Sequence, residues 1–130
     1  MGSLVFDTHV LRWWTLEPEQ LSEPARQACE RAEHEGARVS SVSLWELGIK
    51  VKRGLLVLPF DLGEYVRRLQ KLEWLEIVPV DVDLWLRNLD LQWEHRDPAD
   101  RTIVATAQRY DSALVSKDRA IAAYYPRTIW

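Results

Sequence analysis

Four acidic residues occupy positions where ligand sites form in parallel α/β proteins. Asp7 directly follows one short apolar run, and Asp118 lies just beyond another. Glu46 falls in the first turns of a predicted helix, and Asp100 falls in the first turn of a later one. In an open parallel sheet all four places lie near the carboxyl ends of the strands, where ligands bind. We therefore expect the four carboxylates to converge.

Converging carboxylates repel one another, and this repulsion predicts a ligand. At about 6 Å and an effective dielectric near 20, each pair repels by roughly 3 kcal/mol. The whole cluster would cost about 15 kcal/mol, which is comparable with the stability of a small domain. Such a cluster must take up protons or bind cations, and oxygen ligands favour Mg²⁺ or Mn²⁺. The corresponding chemistry is metal-assisted hydrolysis of a phosphodiester.

Each aspartate also has a simpler interpretation. Asp7 and Asp118 are suited to turns or helix caps, which often follow strands. Asp97, which precedes a proline, is the expected N-cap of its helix. Asp100 would favour the dipole in the first turn of that same helix. Taken singly, each simple interpretation is at least as probable as a functional one.

Glu46 has a simpler interpretation of its own. Lys50 and Arg53 follow it at i+4 and i+7, so it could end a solvated row of ion pairs worth roughly 0.3–0.5 kcal/mol. The four residues together favour the functional interpretation. If each had only its simpler role, four independent coincidences would have to fall on one edge of the sheet.

Short apolar runs alternate with helical patterns along the chain. This alternation predicts an α/β fold with a parallel sheet covered by helices. The predicted strands cover 4–6, 37–40, 76–80, 113–115 and 128–130, and the predicted helices cover 8–14, 22–35, 43–53, 62–72, 82–89 and 98–110.

Length and composition indicate one soluble domain spanning 1–130. The chain has 130 residues, of which 47% are hydrophobic and 28% charged, so disordered and fibrous classes are excluded. Its one cysteine, Cys29, rules out an internal disulfide and a zinc site of paired cysteines. No run approaches the roughly 18 apolar residues of a membrane helix, and the start lacks a signal-peptide pattern. We expect a cytoplasmic protein.

The charge balance excludes a highly basic nucleic-acid coat. Lysine and arginine total 17 and aspartate and glutamate total 20, a net charge of −3 that becomes +1 without the four site candidates. Basic residues flank those candidates in a pattern that suits a phosphate backbone. They are Lys50, Lys52, Arg53, Arg96, Arg101, Lys117 and Arg119.

Five of the seven tryptophans and all three histidines have separate predicted roles. The apolar periodicity around Trp14, Trp45 and Trp85 predicts core positions. Trp74 and Trp93, near predicted helix ends, are open to two roles: stacking on RNA bases or lining a partner groove. We expect His9 to position Asp7, His95 to cap or orient its turn, His34 to be at the surface, and Cys29 to be structural.

At four segments the chain resembles the PIN-domain ribonucleases of the VapC toxin type. The segments are FDTHVLRWW, SSVSLWELGIKVKRGLL, HRDPADRTIVATAQ and LVSKDRAI, in the family's order and spacing. The resemblance implies a three-layer α/β/α sandwich with a central, mainly parallel sheet. It also implies a Mg²⁺- or Mn²⁺-dependent endoribonuclease that acts as the toxin of a toxin–antitoxin pair.

The resemblance further assigns roles to the acidic residues. Asp7 and Asp100 would most directly ligate the metal, and Glu46 and Asp118 would complete the site and orient the attacking water. RNA would be the substrate, and the partners would be a second copy of the chain and an antitoxin that also binds operator DNA. Two departures from the family pattern are His9, where asparagine or serine is common, and Ala99, where a bulky apolar residue is common.

Two other functions stay open at this point. The first is a PIN-like module that binds RNA or protein without cleavage, although all four acidic positions are filled. The second is a phosphatase with an aspartate nucleophile. That chemistry usually needs a second aspartate two residues after the first, where this chain has His9.

Overall fold

Five short strands form one parallel sheet in the computed structural model, which describes residues 4–130. The first three residues of the predicted domain lie outside the described residues. The strands are β1 (Leu4–Phe6), β2 (Ala37–Ser40), β3 (Leu75–Val78), β4 (Ala113–Val115) and β5 (Thr128–Ile129). Their order across the sheet is β3-β2-β1-β4-β5, and every neighbouring pair is parallel.

Seven helices connect the strands within residues 4–130. They are α1 (Thr8–Leu16), α2 (Glu23–Glu35), α3 (Ser41–Lys52), α4 (Leu62–Gln70), α5 (Val82–Asp90), α6 (Pro98–Arg109) and α7 (Arg119–Tyr124). A 3₁₀ turn at Pro18–Gln20 follows α1. Side-chain oxygens cap most of the helix starts, as in Ser22 on Ala25 N–H and Asp61 on Glu64 N–H.

Alternation along the strands builds a core on each face of the sheet. Leu4 and Phe6 of β1 pack in a cluster with buried residues of α1, α2, α3 and α4. Val5, between them, packs on the opposite face with Leu114 and residues of α6 and α7. The central strand is therefore buried on both sides, and the predicted three-layer α/β/α sandwich is confirmed.

The strand order places a crevice at the carboxyl ends of β1 and β4. The chain leaves β1 toward β2 and β3, and then returns to β4 on the other side of β1. Ligands bind at such a reversal because the connecting segments diverge there. Asp7 follows β1 directly, and Asp118 follows β4 by three residues, so both lie at this crevice.

The predicted elements are confirmed with small changes at their ends. Strand β3 ends at Val78 rather than residue 80, and α3 begins at Ser41, because the Ser40 hydroxyl caps it. Helix α7 was missed. Its six residues are too short to show an apolar period, and only Ile121 is fully buried.

Two of the three tryptophans predicted for the core are exposed instead. Trp45 is 61% exposed and Trp85 is 47% exposed, whereas Trp14 packs partly buried against the core. Helical periodicity shows that a face is apolar, but not that the face meets the chain's own core. Within residues 4–130, no helix has the length and apolar character needed to cross a membrane.

Candidate active site

Asp7 is held at the end of β1 by two hydrogen bonds. Its Oδ1 accepts the Thr8 N–H at 2.7 Å, so Asp7 is the N-cap of α1. Its Oδ2 accepts the Ser116 hydroxyl at 2.6 Å, and the side chain is almost fully buried. Each carboxylate oxygen has a second lone pair, so these bonds leave Asp7 able to accept a further ligand.

Glu46 reaches from α3 to the start of α1. Its Oε1 accepts a short hydrogen bond from the Thr8 hydroxyl, which also lies 2.8 Å from the Ser43 hydroxyl. Burial raises the pKa of Glu46, and repulsion from Asp7 adds to the rise, while the Thr8 bond opposes it. In the described part of the chain Glu46 forms no ion pair within 4.0 Å with Lys50 or any other residue, so the predicted row of ion pairs is wrong.

Asp100 is a half-buried carboxyl beside a histidine. It lies in the first turn of α6, and its Oδ2 is 2.7 Å from His95 Nε2. Burial raises the pKa of Asp100 to about 6, against the opposing His95 hydrogen bond, and repulsion from Asp97, Asp7 and Asp118 adds to the rise. A cation bound nearby would lower this pKa again and keep the carboxyl in its anionic form.

Asp97 and Asp118 are helix caps that each use one oxygen. Asp97 Oδ1 accepts the N–H groups of Ala99 and Asp100, which confirms the predicted cap. Asp118 Oδ1 accepts the N–H groups of Ala120 and Ile121 at the start of α7. Within residues 4–130 neither Oδ2 has a hydrogen-bond partner. Capping a helix and facing a cation are therefore compatible roles for one aspartate.

His9 has a different partner from the one predicted. Its Nε2 accepts the backbone N–H of Lys117 at 2.9 Å, whereas its Nδ1 is 3.8 Å from Asp7 Oδ2, beyond hydrogen-bond distance. Burial lowers the pKa of His9, and Asp7 and Asp118 partly oppose this. The neutral ring thus joins the end of β1 to the loop after β4, and its position near Asp7 is set by that loop.

A stack of three rings supports Asp100. The His95 ring stacks on Trp93 at 4.4 Å between centroids, and Trp93 stacks on Tyr124 at 4.8 Å. His95 therefore orients a site carboxylate rather than merely its own turn. Trp93 is occupied within this stack, so the two roles left open for it by the sequence are replaced by an internal one.

Arg101 holds the loop that precedes α6. Its guanidinium donates to the Asn88 carbonyl and side-chain oxygens and to the carbonyls of Leu91, Trp93 and His95. The prediction that Arg101 offers its charge to a phosphate is wrong, because its donors are used inside the protein. Of the other flanking cations, Lys50 is near enough to influence the pKa of both Glu46 and His9.

The acidic residues influence one another electrostatically: Asp7 and Asp97 raise the pKa of both Glu46 and Asp100, and Asp118 raises that of Asp100. Across residues 4–130, no three His, Cys, Asp or Glu side chains form a group that could hold a metal ion as they stand. The hydroxyls near the carboxylates were not predicted: Thr8 binds Glu46, Ser116 binds Asp7, and Ser43 contacts the Thr8 hydroxyl. Serine and threonine are too common at turns and caps to be singled out in one sequence.

The fold and this acidic crevice define a class of protein. A family model of the PIN domain matches residues 4–125. The chain belongs to the PIN-domain family.

One curated relative is similar along its whole length. Ribonuclease VapC22 from Mycobacterium tuberculosis is 31% identical over 134 residues, with 100% of each chain covered. The relative's name describes a ribonuclease.

Two solved structures show the same fold. A chain of a toxin–antitoxin complex from Klebsiella pneumoniae aligns with a TM-score of 0.67 at 22% identity, covering 98% of this chain and 97% of that one. A chain of VapBC2 from Rickettsia felis, bound to a DNA fragment from their promoter, aligns with a TM-score of 0.66 at 15% identity. The coverage there is 96% of this chain and 94% of that one.

Proposed function

We propose that the chain is a Mg²⁺- or Mn²⁺-dependent endoribonuclease that acts as the toxin of a toxin–antitoxin pair. The observation that carries the proposal is that Asp7 lies near enough to raise the pKa of both Glu46 and Asp100, and Asp118 near enough to raise that of Asp100. Burial and mutual repulsion raise the pKa values of Glu46 and Asp100. Full-length similarity to a ribonuclease supports the choice of RNA.

The donor set fits a hard divalent cation. All four side chains offer oxygen, which is the ligand type of Mg²⁺ and Mn²⁺. Mg²⁺ usually keeps several waters and needs only one or two direct carboxylates. A site without a closed cage of three ligands is therefore consistent with this ion. We assign the direct ligands to Asp7 and Asp100, and we assign Glu46 and Asp118 to contacts made directly or through water.

The surrounding side chains then have defined tasks. When bound, the metal would supply a Lewis acid and an acidified water for attack on the phosphodiester. Ser116 and His95 fix the orientations of Asp7 and Asp100. Glu46, whose raised pKa favours proton uptake, would accept a proton from the attacking water. Lys50 would contribute positive charge toward the RNA backbone.

The antitoxin partner has a candidate surface away from this edge. A groove of about 400 Å³ between α1, α2 and α4 is lined by Trp14, Phe60, Tyr65 and Trp74, among others. Tryptophan and tyrosine anchors are typical of binding hot spots. We assign this groove to an apolar segment of the antitoxin, which selects the partner role for Trp74.

A second copy of the chain has a separate candidate surface. Helix α5 exposes four apolar side chains at i, i+3, i+4 and i+7 spacing, namely Val82, Trp85, Leu86 and Leu89. A pocket of about 340 Å³ beside them is lined by Trp45 and Trp85 and is largely apolar. Exposed patches of this kind mark interfaces, and a two-fold axis would bury the same stripe twice. We propose a homodimer through this α5 face, acting in the cytoplasm.

The proposal is tested by incubating the purified protein with structured RNAs in Mg²⁺, in Mn²⁺ and in chelator. We expect cleavage with metal only, and none from Asp7→Asn. Asp61→Asn is the matched control, because Asp61 also caps a helix with one oxygen but lies outside the crevice. Its cleavage should equal that of the wild type. Full cleavage by Asp7→Asn would overturn the assignment.

The same experiment separates the non-cleaving alternative. Tight RNA binding that chelator leaves unchanged, with no cleavage of any RNA, would favour a PIN-like binding module. The toxin role has its own measurement. Expression of the wild type should arrest growth, expression of Asp7→Asn should not, and coexpression of the antitoxin should restore growth.

A further inference from the structure

A second concave surface adjoins the acidic crevice on the side of β5. It encloses about 330 Å³ and is lined by residues of the loop after β4, by α7 and by the end of the chain. The lining residues are Ser116, Lys117, Asp118, Arg119, Ala122, Thr128 and Trp130. We refer to it as the Trp130 groove. The proposed metal site uses Asp118 and the Ser116 hydroxyl, and it leaves the other lining residues without a role.

The indole of Trp130 belongs to a cluster of rings that is fixed to the site. Trp130 lies 5.9 Å from Trp13 and 6.1 Å from His9 between ring centroids, and His9 lies 5.0 Å from Trp13. His9 in turn accepts the Lys117 backbone N–H. The ring that lines the groove is therefore held in place by its neighbours, while part of its surface is exposed.

Two cations share the groove with this indole. Lys117 and Arg119 both line it, and in the described part of the chain neither has a carboxylate within 4.0 Å. The Lys117 ammonium lies 5.7 Å from the ring centroid of Trp13. The groove thus combines an aromatic surface with positive charge that is not neutralised by an ion pair.

Ser116 connects the groove directly with the acidic crevice. Its hydroxyl donates to Asp7 Oδ2 at 2.6 Å and accepts the Asp118 N–H at 3.0 Å. One residue therefore lines the groove and binds a carboxylate of the proposed metal site. A strand whose phosphate lies at the carboxylates would have its neighbouring nucleotide at the groove.

We propose that the Trp130 groove binds one unpaired nucleotide of the RNA, next to the phosphodiester that is cut. The base stacks on Trp130, and its phosphate lies between Lys117 and Arg119. Aromatic stacking suits any base and is worth roughly 1–3 kcal/mol per base. About 330 Å³ is near the lower limit for small-molecule sites, so the groove admits one nucleotide and not a base pair. This inference rests on the proposed function and restricts its substrate to single-stranded RNA segments.

The test measures RNA binding without cleavage. A fluorescently labelled, mixed-sequence single-stranded RNA is titrated in chelator with the wild type and with Trp130→Ala, Trp130→Phe and Lys117→Gln, and anisotropy gives each Kd. We expect Trp130→Ala to weaken binding by about tenfold or more, and Trp130→Phe to retain most of the affinity. Lys117→Gln should lower both the affinity and its dependence on salt.

The matched control is Leu55→Ala. Leu55 is a large apolar side chain that is 72% exposed and does not line the groove. Its substitution should leave the Kd for RNA unchanged. A duplex RNA of the same sequence should bind equally to the wild type and to Trp130→Ala.

The outcomes separate this inference from the proposed function. Equal Kd values for the wild type and Trp130→Ala would overturn the groove assignment, even if the protein cleaves RNA with metal. Equal losses for Trp130→Ala and Leu55→Ala would also overturn it, because the effect would then not be specific to the groove. Absence of cleavage with metal, together with a selective loss of binding in Trp130→Ala, would overturn the proposed nuclease activity. The assignment of the groove as a nucleotide-binding site would stand.

Discussion

The carboxyl edge of the sheet and the α5 face each reverse the usual distribution of polarity. At the edge, polar groups are buried: Asp7 is 4% exposed, and Ser43 and Ser116 are 0% and 1% exposed. On the α5 face apolar groups are exposed, with Leu89 at 74%. Buried polar groups and exposed apolar patches are the informative exceptions to ordinary burial.

The two regions would need different binding partners. Hydrogen bonds at the edge fix the carboxylates but do not neutralise them, so the partner that we propose there is a cation. The α5 face exposes apolar side chains, so the partner that we propose there is a protein surface. A loss at the edge should therefore remove chemistry with little effect on assembly, and a change on the α5 face should do the reverse.

The largest effect is expected from Asp100→Asn. This change removes one anionic ligand and keeps the size of the side chain, so cleavage should fall by at least about a thousandfold. The dimer should persist. Single-turnover cleavage of one RNA and the mass in solution are measured on the same preparation. Cleavage within tenfold of the wild type would remove Asp100 from the metal site.

Arg101→Met should cost the most stability. The guanidinium donates to five acceptors between Asn88 and His95, and charged hydrogen bonds of this kind are worth about 1.5–3 kcal/mol each. We expect a loss of about 3 kcal/mol in urea unfolding and weaker cleavage, because the loop carries His95. Arg87→Met, which breaks an exposed pair with Asp83, should cost less than about 0.5 kcal/mol. Equal costs would contradict the account.

The pH dependence of the free energy of unfolding tests whether the pKa of Asp100 is raised in the folded protein. The pKa of Asp100 is raised from 3.8 to about 6, so between these values the folded protein binds the proton more tightly than the unfolded chain. Its contribution is fully present below pH 3.8 and is lost as pH rises through about 6, a change on the order of 3 kcal/mol. Urea unfolding in chelator should show this decline in the wild type and a flatter profile in Asp100→Asn. Parallel profiles would contradict the raised pKa.

Leu89→Glu tests the proposed dimer interface on the α5 face. A charge on the α5 face enters a two-fold interface twice, so the Kd of the dimer should rise by about tenfold or more. The control is Val57→Glu, at a side chain that is 89% exposed but lies outside the α5 face. Analytical ultracentrifugation over a concentration series measures both. A dimer that persists unchanged in Leu89→Glu would place the interface elsewhere.

The same contrast explains what the sequence could predict. The strands, the cap at Asp97 and the position of Asp7 at the carboxyl end of β1 follow from local patterns and from the geometry of parallel sheets. Trp45 and Trp85 were misplaced because periodicity shows an apolar face without showing what covers it. Arg101 was misread because a guanidinium that binds phosphate and one that binds carbonyls look the same in a sequence. The hydrogen bond from the Lys117 N–H to His9 Nε2 was not predicted, because it joins residues 108 positions apart.

Direct binding of Mn²⁺ tests the central claim, that the buried carboxylates at the sheet edge form a divalent-cation site. Electron paramagnetic resonance of Mn²⁺ titrated with protein at neutral pH reports the free ion without reference to any RNA. The account predicts binding by the wild type and Asp61→Asn, competition by Mg²⁺, and clear weakening in both Asp7→Asn and Asp100→Asn. Equal affinity in all four proteins, or no binding by the wild type, would contradict it.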